Sequence, residues 1–393
     1  NKVLNVPHLR FPEFSGEWNK YTINDLATVV GGGTPDTTVK SYWGGDIQWF
    51  TPSEIGKNKY VDFSKRTITR DGLDNSSAKL LPLHTILLSS RATVGECSIA
   101  SNECTTNQGF QSLIAKQCNI DFLYYLIQTK KKDLIRNACG STFLEISANE
   151  IRKIKVAVPV QNEQEQIAKL LSLIDERIAT QNKIIEKLQS LIKGLVDELM
   201  TVLLKGKLYP FSSFYIKAGE GGTPTTSVVE YYTEGTIPFI KIEDLSCKYL
   251  TNNKDFITEL GMQKSSAWLI PSKSVIYSNG ATIGAISINE YPVCTKQGIL
   301  GIVPNTNINV EYLYLLMSSS YFSKEISRII TEGTMKTAYL KDINHIKCPL
   351  PSMAQQKNIT NLTSSIEEKL SIEQELLRFL NLQKQYLLHM IFI

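Results

Sequence analysis

The first residues with the types needed for phosphodiester cleavage lie near the N-terminus. Asp36 follows Pro35, and Glu54 is followed three residues later by Lys57. A metal-dependent nuclease needs a carboxylate and lysine set arranged around its ion. The final spacing here does not fit such a set, so these residues do not predict a nuclease.

Nucleophilic and metal-binding residue types are scattered rather than clustered. The histidines stand singly, at positions 8, 84, 345 and 389, and the cysteines, at 97, 104, 118, 139, 247, 294 and 348, show no Cys-x-x-Cys spacing. These patterns argue against a catalytic triad, a structural zinc site and a disulfide framework. No Pro-Pro pair occurs, although the Asn/Asp-Pro-Pro-aromatic motif of an adenine methyltransferase would need one. The sequence therefore predicts a chain with no catalytic, metal-binding or cofactor-binding residues of its own.

A glycine-rich turn is the next candidate, because such turns can cradle a phosphate. The stretch GGTPDTTVKSYW begins at Gly32, and GGTPTTSVVEYY begins 189 positions later, at Gly221. Neither copy continues to Gly-Lys-Ser/Thr or completes Gly-x-Gly-x-x-Gly. We therefore interpret the turn as a fold element that the chain repeats.

The repetition extends through the whole chain. LLPLHTILLSSRATVGECSI from Leu80 matches LIPSKSVIYSNGATIGAISI from Leu269, and TNQGF at Thr106 matches TKQGI at Thr295, again at an offset of 189. Later in each copy, EIRKIKVAVP at Glu150 matches DINHIKCPLP at an offset of 192. The chain is therefore predicted to be a tandem duplication of a unit of about 190 residues.

Composition and charge set the outer limits. The chain has 393 residues, 42% of them hydrophobic, which is enough for two domains with separate cores. The net charge of +4 is a weak basic excess, compatible with nucleic-acid contact and equally with an ordinary enzyme. No uncharged apolar stretch reaches 18 residues and no apolar leader segment begins the chain, so we expect a cytoplasmic protein.

Each copy ends in a heptad pattern that follows a proline-containing segment. The first seam has one polar member and consists of Ile167, Leu171, Ile174, Ile178, Gln181, Ile185, Leu188, Ile192, Leu195, Leu199 and Val202. The second seam is weaker and consists of Ile359, Thr363, Ile366, Leu370, Glu373, Leu377, Leu380, Lys384, Leu387 and Ile391. Such spacing is typical of a coiled coil in which each helix pairs with the other. Two amphipathic helices, each packed on its own domain, remain the alternative.

The sequence before each long helix has a different pattern. Short β-prone runs such as TILLSS and FQSLIA are separated by Gly, Asn, Asp and Ser, and one shorter helix is expected in each copy, at residues 120–137 and 310–330. The predicted fold class is α+β, a tandem duplication of two α+β domains that each lead into a long helix. The expected boundaries are an N-terminal segment at 1–20, a first domain at 21–160, a central helix at 161–205, a second domain at 206–352 and a C-terminal helix at 353–393.

Several motifs resemble one known family. They are VPHLRFPEFSGEW from Val6, the two GGTP turns, SSRATVG with SNGATIG, TNQGF with TKQGI, GSTFLEISANEIRKIKVAVPVQNEQEQIAKLLSLID from Gly140, and PLPSMAQQKNI from Pro349. In this order, and twice over, they resemble the specificity subunit of Type I restriction-modification systems. The resemblance covers essentially the whole chain, although AQQKNI at Ala354 is a looser match to the family's helix start than EQEQI at Glu163.

The resemblance implies a division of labour within a larger complex. Each globular domain would be a target-recognition domain that reads one half of a bipartite, asymmetric site in double-stranded DNA. The two long helices would form an antiparallel coiled-coil pair that sets the spacer and docks two methyltransferase (modification) subunits. Restriction (translocase-nuclease) subunits would complete the endonuclease, so that S-adenosylmethionine, ATP and Mg would belong to the partner subunits.

Two other classes of function stay open at this point. A nucleic-acid enzyme would need a catalytic set that the sequence does not offer. A structural coiled-coil scaffold would also duplicate, but it would show no sequence-selective DNA binding. Incubation of the chain alone with DNA and S-adenosylmethionine or magnesium, and a test of selective binding, would separate these readings.

The duplication also separates framework residues from candidate DNA-reading residues. Positions identical in both copies are expected to serve folding or phosphate contact, namely Gly33/Gly222, Pro35/Pro224, Gly95/Gly284 and Gln108/Gln297. Matched positions that differ should include the base readers, since Arg and Lys suit guanine, Asn suits adenine and Glu can accept from cytosine. The pairs are Trp49/Phe239, Thr51/Lys241, Ser53/Glu243, Ser90/Asn279, Arg91/Gly280, Asn107/Lys296 and Phe143/Lys336. The predicted DNA-binding set is Trp49, Thr51, Ser53, Ser90, Arg91, Asn107, Phe143, Lys241, Glu243, Asn279, Lys296 and Lys336, and for each of them a solvated residue or a phosphate contact is the alternative.

Overall fold

The computed structural model describes residues 6–140, 144–280, 282–330 and 336–392. The chain divides into two compact units. The first unit contains the chain up to Asn182 together with the residues from Glu375 on, and the second unit contains Lys183–Gln374. Each of the two long helices therefore contributes one half to each unit.

The described part of the first unit has three β-sheets. Its strands are β1 Asn19–Thr22, β2 Ala27–Gly31, β3 Trp43–Phe50, β4 Tyr60–Val61, β5 Arg66–Ile68, β6 Ile86–Leu88, β7 Cys97–Ala100, β8 Cys104–Thr106, β9 Gln111–Ala115 and β10 Lys155–Val158. The sheet orders are β2-β9-β6-β7-β4, β5-β3-β8 and β1-β10. Its helices are α1 Ile23–Leu26, α2 Arg70–Asp74, α3 Ile120–Thr129, α4 Lys131–Arg136, α5 Ala148–Lys153 and the first part of α6, which spans Gln161–Leu203.

The second unit repeats this arrangement. Its strands are β11 Leu208–Pro210, β12 Tyr215–Glu220, β13 Ile237–Ile240, β14 Tyr249–Leu250, β15 Asp255–Ile257, β16 Val275–Ser278, β17 Ile286–Asn289, β18 Cys294–Thr295, β19 Ile299–Pro304 and β20 Lys347–Pro349. The sheet orders are β12-β19-β16-β17-β14, β15-β13-β18 and β11-β20. Its helices are α7 Glu259–Gln263, α8 Val310–Ser318, α9 Ser320–Ile329, α10 Leu340–Ile343 and the first part of α11, which spans Met353–Ile391.

The matching sheet orders confirm the tandem α+β duplication. Even the exceptions to antiparallel pairing recur, because β4 and β7 are parallel as are β14 and β17, and β3 and β8 are parallel as are β13 and β18. The domain boundaries given above are a division by function and stay a prediction.

The shorter helix predicted in each copy is wrong in one respect, because it is broken in two. Lys130 separates α3 from α4, and Ser319 separates α8 from α9. Ser319 has an extended backbone, and its hydroxyl accepts a hydrogen bond from the N–H of Phe322 at 3.2 Å. A serine that caps a new helix in this way ends the preceding one, and heptad or periodic patterns do not report such a break.

The long helices pair within each unit. In the first unit, Asp175 of α6 lies 2.6 Å from Lys384 of α11, and Leu171 shares a buried cluster with Ile391. Residues early in α6 thus meet residues late in α11, so the two segments run antiparallel. In the second unit, Met200 near the end of α6 shares a buried cluster with Ile359 near the start of α11.

Most residues of the two predicted heptad seams are buried or half-buried. Every seam position of α11 is buried or half-buried, including the polar Glu373. In α6 the last predicted position is wrong, because Val202 is 61% exposed. The buried stripe moves by one residue to Val196 and Met200, since this end of the helix packs on the core of the second unit as well.

Candidate nucleic-acid interface

The repeated glycine turn is held against a neighbouring loop in both units. The N–H of Gly33 donates to the carbonyl of Thr106 at 2.8 Å, and the N–H of Gly222 donates to the carbonyl of Thr295 at 3.0 Å. A Cβ on Gly33 would lie less than 3 Å from the backbone of Ser77, and one on Gly222 would meet Ser266 in the same way. Only glycine fits such a close approach of two backbones. These glycines therefore have the structural role that the duplication indicated.

The other framework pairs also make matched contacts. Gly95 and Gly284 adopt positive φ angles of 89° and 102°, a conformation that favours glycine. Gln108 accepts a hydrogen bond from the hydroxyl of Thr34. In the second unit the contact changes atoms, because the backbone N–H of Gln297 donates to the hydroxyl of Thr223 at 3.4 Å.

Four loops of the first unit come together beside this turn. The N–H of Asn107 donates to the carbonyl of Phe50 at 3.0 Å, and the N–H of Ser90 donates to the carbonyl of Gly109 at 2.8 Å. The carbonyl of Ser90 in turn accepts from Ile146 at 2.9 Å. The structure thus brings three segments that carry predicted residues together with the segment at Ile146. We call this region the loop surface and define it by residues 32–35, 49–54, 89–93, 106–109, 139–140 and 144–146.

The predicted residues of the first unit differ in accessibility. Ser53 and Arg91 are exposed, and Thr51 and Asn107 are half-buried. Trp49 is 4% exposed, Ser90 is fully buried, and Phe143 lies outside the described residues. Arg91 also pairs with Glu145 at 3.2 Å, with about half of each side chain exposed. DNA contact by any of these residues stays a prediction.

The predicted residues of the second unit follow the same division. Glu243, Lys296 and Lys336 are exposed, and Lys241 is half-buried. Asn279 is 1% exposed, and its amide donates to the carbonyl of Ala338 at 3.1 Å. The N–H of Asn279 donates to Gly298 at 3.0 Å and that of Ala338 to Asn279 at 2.9 Å, as Ser90 and Ile146 do in the first unit. The loop surface of the second unit is accordingly defined by residues 221–224, 239–244, 278–280, 282, 295–298 and 336–338. Asn279 and Ser90 are buried at matched positions, so each contributes to the packing of its own loop surface.

An ion pair fixes one of the second-unit candidates. Lys241 lies 2.8 Å from Asp255, and this hydrogen bond raises the pKa of Lys241. Strand pairing places Asp255 opposite Phe239, as it places Arg66 opposite Trp49 in the first unit. Arg66 and Asp255 are therefore matched positions of opposite charge, which the sequence analysis did not include although the same criterion would have found them.

A second feature that the sequence analysis missed is a lysine that joins each globular part to a long helix. In the first unit, the Nζ of Lys59 lies 2.7 Å from Asp121 and donates to the hydroxyl of Ser172 on α6 at 2.6 Å. Tyr125 donates to Asp175 on the same helix at 2.7 Å. We call Lys59 and its counterpart Lys248 the anchor lysines.

The anchor is rebuilt in the second unit with different acids. Lys248 lies 2.5 Å from Glu367 on α11 and 3.8 Å from Glu311. Tyr249 donates to Glu311 at 2.6 Å, as Tyr60 donates to Asp121 at 2.8 Å. Burial, together with these acids, raises the pKa of both tyrosines, so each phenol keeps its proton and remains a donor. Both anchor lysines tie a globular part to a long helix, which positions that part.

The start of each long helix carries a matched glutamine clamp. The carbonyl oxygen of the Gln164 side chain accepts from the N–H of Asn119 at 3.0 Å, and that of Gln356 accepts from Asn309 at 2.7 Å. The looser sequence match at Ala354 therefore conceals an identical contact. The preceding residue differs, because Glu163 is buried and receives two hydrogen bonds from Arg10, at 2.7 and 2.8 Å.

The remaining chemistry-bearing residues form no reactive cluster in the part of the chain that the structure describes. No group of three or more His, Cys, Asp or Glu residues there could hold a metal ion. Burial raises the pKa of the Cys104 and Cys118 thiols to about 12, which suppresses the reactive thiolate. None of the described helices is long and apolar enough to span a membrane.

Comparison with known proteins gives a consistent result. A family model described as the Type I restriction modification DNA specificity domain matches residues 15–190 and again 214–381. The chain is similar to the Type I restriction enzyme MjaIX specificity subunit of Methanocaldococcus jannaschii, with 29% identity over 90% of this chain and 88% of the relative. It is also similar to the EcoR124I/EcoR124II specificity subunit of Escherichia coli, with 29% identity over 42% of this chain and 43% of the relative.

Solved structures share the fold. The crystal structure of a Type I restriction-modification S subunit from M. genitalium aligns with 99% of this chain and 99% of its own, at a TM-score of 0.54 and 18% identity. A chain from a study of complex assembly and conformational transition of the Type I restriction-modification system aligns over 94% of this chain and 96% of its own, at a TM-score of 0.58 and 13% identity.

Proposed function

The chain belongs to the family of Type I restriction-modification DNA specificity proteins, and from this premise we propose how its two units recognise DNA. Each unit reads one half of a bipartite, asymmetric site in double-stranded DNA with the side chains of its loop surface. The chain itself performs no catalysis. One observation carries the proposal. The loop surfaces of the two units are held by matching backbone hydrogen bonds, but they present different side chains.

The accessible residues of each loop surface suit base recognition in the major groove. In the first unit, the exposed Arg91 offers a guanidinium and the half-buried Asn107 an amide, which suit guanine and adenine respectively. In the second unit, Lys296 and Lys336 suit guanine, and Glu243 can accept from the amino group of cytosine. The two units would therefore read different half-sites, which makes the whole site asymmetric.

The partner subunits of the proposed complex supply the chemistry. S-adenosylmethionine would be bound by two methyltransferase (modification) subunits, and ATP and Mg by restriction (translocase-nuclease) subunits. A modification subunit would dock on the part of α11 in the first unit, where four large side chains are between 36% and 58% exposed: Leu376, Phe379, Leu382 and Tyr386. Contiguous exposed apolar residues on a helix are typical of a protein interface. A complex of this kind acts on cellular DNA, so its place would be the cytoplasm.

The length of the long helices would set the spacer between the half-sites. α6 is an uninterrupted helix of 43 residues. Four residues inserted beside Gln181 would add about 6 Å of helix, and DNA rises about 3.4 Å per base pair. The insertion should therefore lengthen the spacer of the methylated motif by one or two base pairs and leave both half-sites unchanged.

An exchange of one globular part tests the proposal. Residues 21–158 would be replaced by the corresponding part of a relative of different specificity, and the complex with its modification subunits would be produced in cells. Mapping of N6-methyladenine across the genome should show one half of the bipartite motif changed and the other half retained. The reciprocal exchange of residues 206–352 is the matched control and should change the opposite half.

Three outcomes would contradict the proposal. If both half-sites changed together, the units would not read DNA independently. Methylation or cleavage by the chain alone would identify an enzyme. If no bipartite motif depended on the chain, its role would be that of a structural scaffold.

A further inference from the structure

One arginine of the first unit is stacked on an aromatic ring beside the loop surface. The guanidinium carbon of Arg66 lies 3.6 Å from the centre of the Trp43 ring and 5.4 Å from that of Trp49. The two indoles contact each other edge to face, with centroids 5.0 Å apart and planes at 89°. Arg66 is exposed, whereas Trp49 beneath it is buried. The stack therefore presents a guanidinium on a rigid apolar base.

Hydrogen bonds tie this base to the repeated glycine turn. The indole N–H of Trp49 donates to the carbonyl of Gly33 at 2.9 Å, and that of Trp43 donates to the carbonyl of Asp36 at 3.1 Å. The backbone of Arg66 is fixed as well, because β5 pairs with β3 and places Arg66 opposite Trp49. An arginine held in this way loses little further conformational freedom when it binds a ligand.

Among the described residues, the Arg66 guanidinium contacts the two indole rings but has no carboxylate partner and no hydrogen-bond acceptor. Other arginines of this unit are engaged, since Arg10 binds Glu163 and Arg91 pairs with Glu145. A guanidinium carries five donors in a planar fork that fits two acceptors side by side. The stack thus offers an unoccupied bidentate donor beside the glycine turn and the candidate DNA-reading residues.

The second unit shows that the fold does not require this arginine. Tyr232 takes the place of Trp43, and its hydroxyl donates to the carbonyl of Pro224 at 2.5 Å, so the contact with the glycine turn is kept. Asp255 takes the place of Arg66 and pairs with Lys241. The strand pairing beneath this position is the same in both units, although Phe239 lacks the indole N–H by which Trp49 contacts Gly33. The side chain at the position has the opposite charge, which separates it from the framework.

We infer that Arg66 is a base reader that donates two hydrogen bonds to the O6 and N7 atoms of one guanine in the half-site recognised by the first unit. Guanine is the base whose major-groove edge offers two adjacent acceptors. Stacking on Trp43 strengthens the case, because an aromatic face orients the guanidinium and leaves its hydrogen-bonding edge free. This inference rests on the proposed function and adds to it a named residue and a named base.

The test uses the full chain in complex with its modification subunits. Methylation mapping first gives the bipartite motif of the unaltered complex. Binding is then measured on the cognate site and on sites in which each guanine in turn is replaced by 7-deazaguanine, which lacks the N7 acceptor. The variants are Arg66→Ala, Arg66→Lys and the control Arg70→Ala, which removes an exposed arginine four residues along the chain whose ion-pair partner among the described residues is Asp74.

One guanine should stand out for the unaltered complex. Its replacement by 7-deazaguanine should weaken binding, and Arg66→Ala should weaken binding to the natural site about 5- to 150-fold. The Arg66→Ala complex should then be indifferent to 7-deazaguanine at that position and should accept other bases there. Arg66→Lys should recover part of the affinity but less of the base preference, and Arg70→Ala should behave like the unaltered complex.

Other results would overturn the inference. If Arg66→Ala weakened binding to all sequences alike and flattened the salt dependence, Arg66 would be a phosphate contact and not a base reader. The half-site of the first unit could also contain no guanine that responds to 7-deazaguanine, and this arm needs no variant, so it decides the matter even if a variant folds poorly. A complex without any bipartite motif would instead remove the proposed function itself.

Discussion

In the first unit Asn107 donates its backbone N–H to Phe50 at 3.0 Å, and in the second unit Lys296 donates to Ile240 at 2.9 Å. An amide side chain and an ammonium side chain are thus presented by the same backbone contact. The same holds where Arg66 of the first unit is replaced by Asp255 of the second. The two units therefore share the backbone structure of the loop surface, and the side chains on it can change without a change in that backbone.

The anchor lysines extend the comparison to the contact with the long helices. Lys59 and Lys248 are kept in both units, and their side chains are only 10% and 12% exposed. Their acidic partners change from Asp121 to Glu311 without loss of the contact. The side chains that vary between the loop surfaces need a backbone held in a fixed position. If an anchor contact were lost, every side chain of that loop surface would shift together.

The largest expected effect comes from the glycines of the frame. Gly33→Ala and Gly222→Ala would each place a Cβ less than 3 Å from backbone atoms that cannot move aside as a side chain can. We expect each change to lower the free energy of unfolding of its own unit by about 3 kcal/mol. Thermal or urea unfolding of the two variants measures the loss.

Gly194→Ala is the matched control for these changes. Gly194 lies in α6 with no atom within 4 Å of an added Cβ. Alanine there should stabilise the protein by about 0.5–1 kcal/mol, because it favours the helix over the unfolded chain. A loss at Gly33 but not at Gly222 would mean that the two units do not share one frame.

A smaller effect is expected at the anchor lysines. Lys59→Met and Lys248→Met would leave partly buried acids, 18–32% exposed, without their lysine partner. Each change should lower the free energy of unfolding by about 1–3 kcal/mol. The loss at Lys59 should be the larger, since Lys59 also donates to Ser172 and to Tyr125. Unfolding of both variants checks this order, with the exposed Lys187→Met as the control.

The anchor prediction also separates position from base reading. Neither lysine belongs to the loop surface, so the methylated motif should keep its bases in both variants while binding weakens for all sequences. A change of the preferred bases in one half-site would show that the lysine acts on DNA directly, and an unchanged free energy of unfolding would remove it from the framework.

Much of this arrangement could be predicted from the sequence, and the failures have physical causes. The repeats at Gly32 and Gly221 predicted the duplication. Two backbones approach closely at this turn, so both copies need glycine there and the repeat is visible in the sequence. The breaks at Lys130 and Ser319 were not predictable from apolar periodicity, since both halves of each broken helix contribute apolar residues to the same buried cluster. The stacking of Arg66 on Trp43 was not predictable, because the two residues are distant in sequence and meet only through the pairing of β3 with β5.

Accessibility was the other quantity that the sequence could not supply. Matched positions that differ were chosen as candidate base readers, and this criterion selected Ser90 and Asn279 as well as Arg91. The structure buries the first two and exposes the third. A difference between the two copies shows only that the residue at that position can be replaced. Replacement is also possible at a buried position, if the surrounding loop repacks around the new side chain.

The smallest expected effect uses two cysteines as probes of the proposed surface. Cys139 and Cys247 are exposed, while burial raises the pKa of the Cys97 thiol to about 12 and that of Cys294 to about 11. A raised pKa leaves almost no thiolate near pH 8, so a thiol reagent should label the two exposed cysteines quickly and the buried ones only after unfolding. Cys139 pairs with Glu145, the partner of Arg91, because each donates its backbone N–H to the carbonyl of the other at 2.9 Å. Cys247 lies instead in the cleft beside the second anchor lysine.

In the complex, DNA carrying the cognate site should therefore slow labelling of Cys139 several-fold and leave the rate at Cys247 unchanged, with Cys139→Ser as the control that assigns the signal. Equal protection at both cysteines, or protection by unrelated DNA at the same concentration, would place the DNA contact somewhere other than the loop surface.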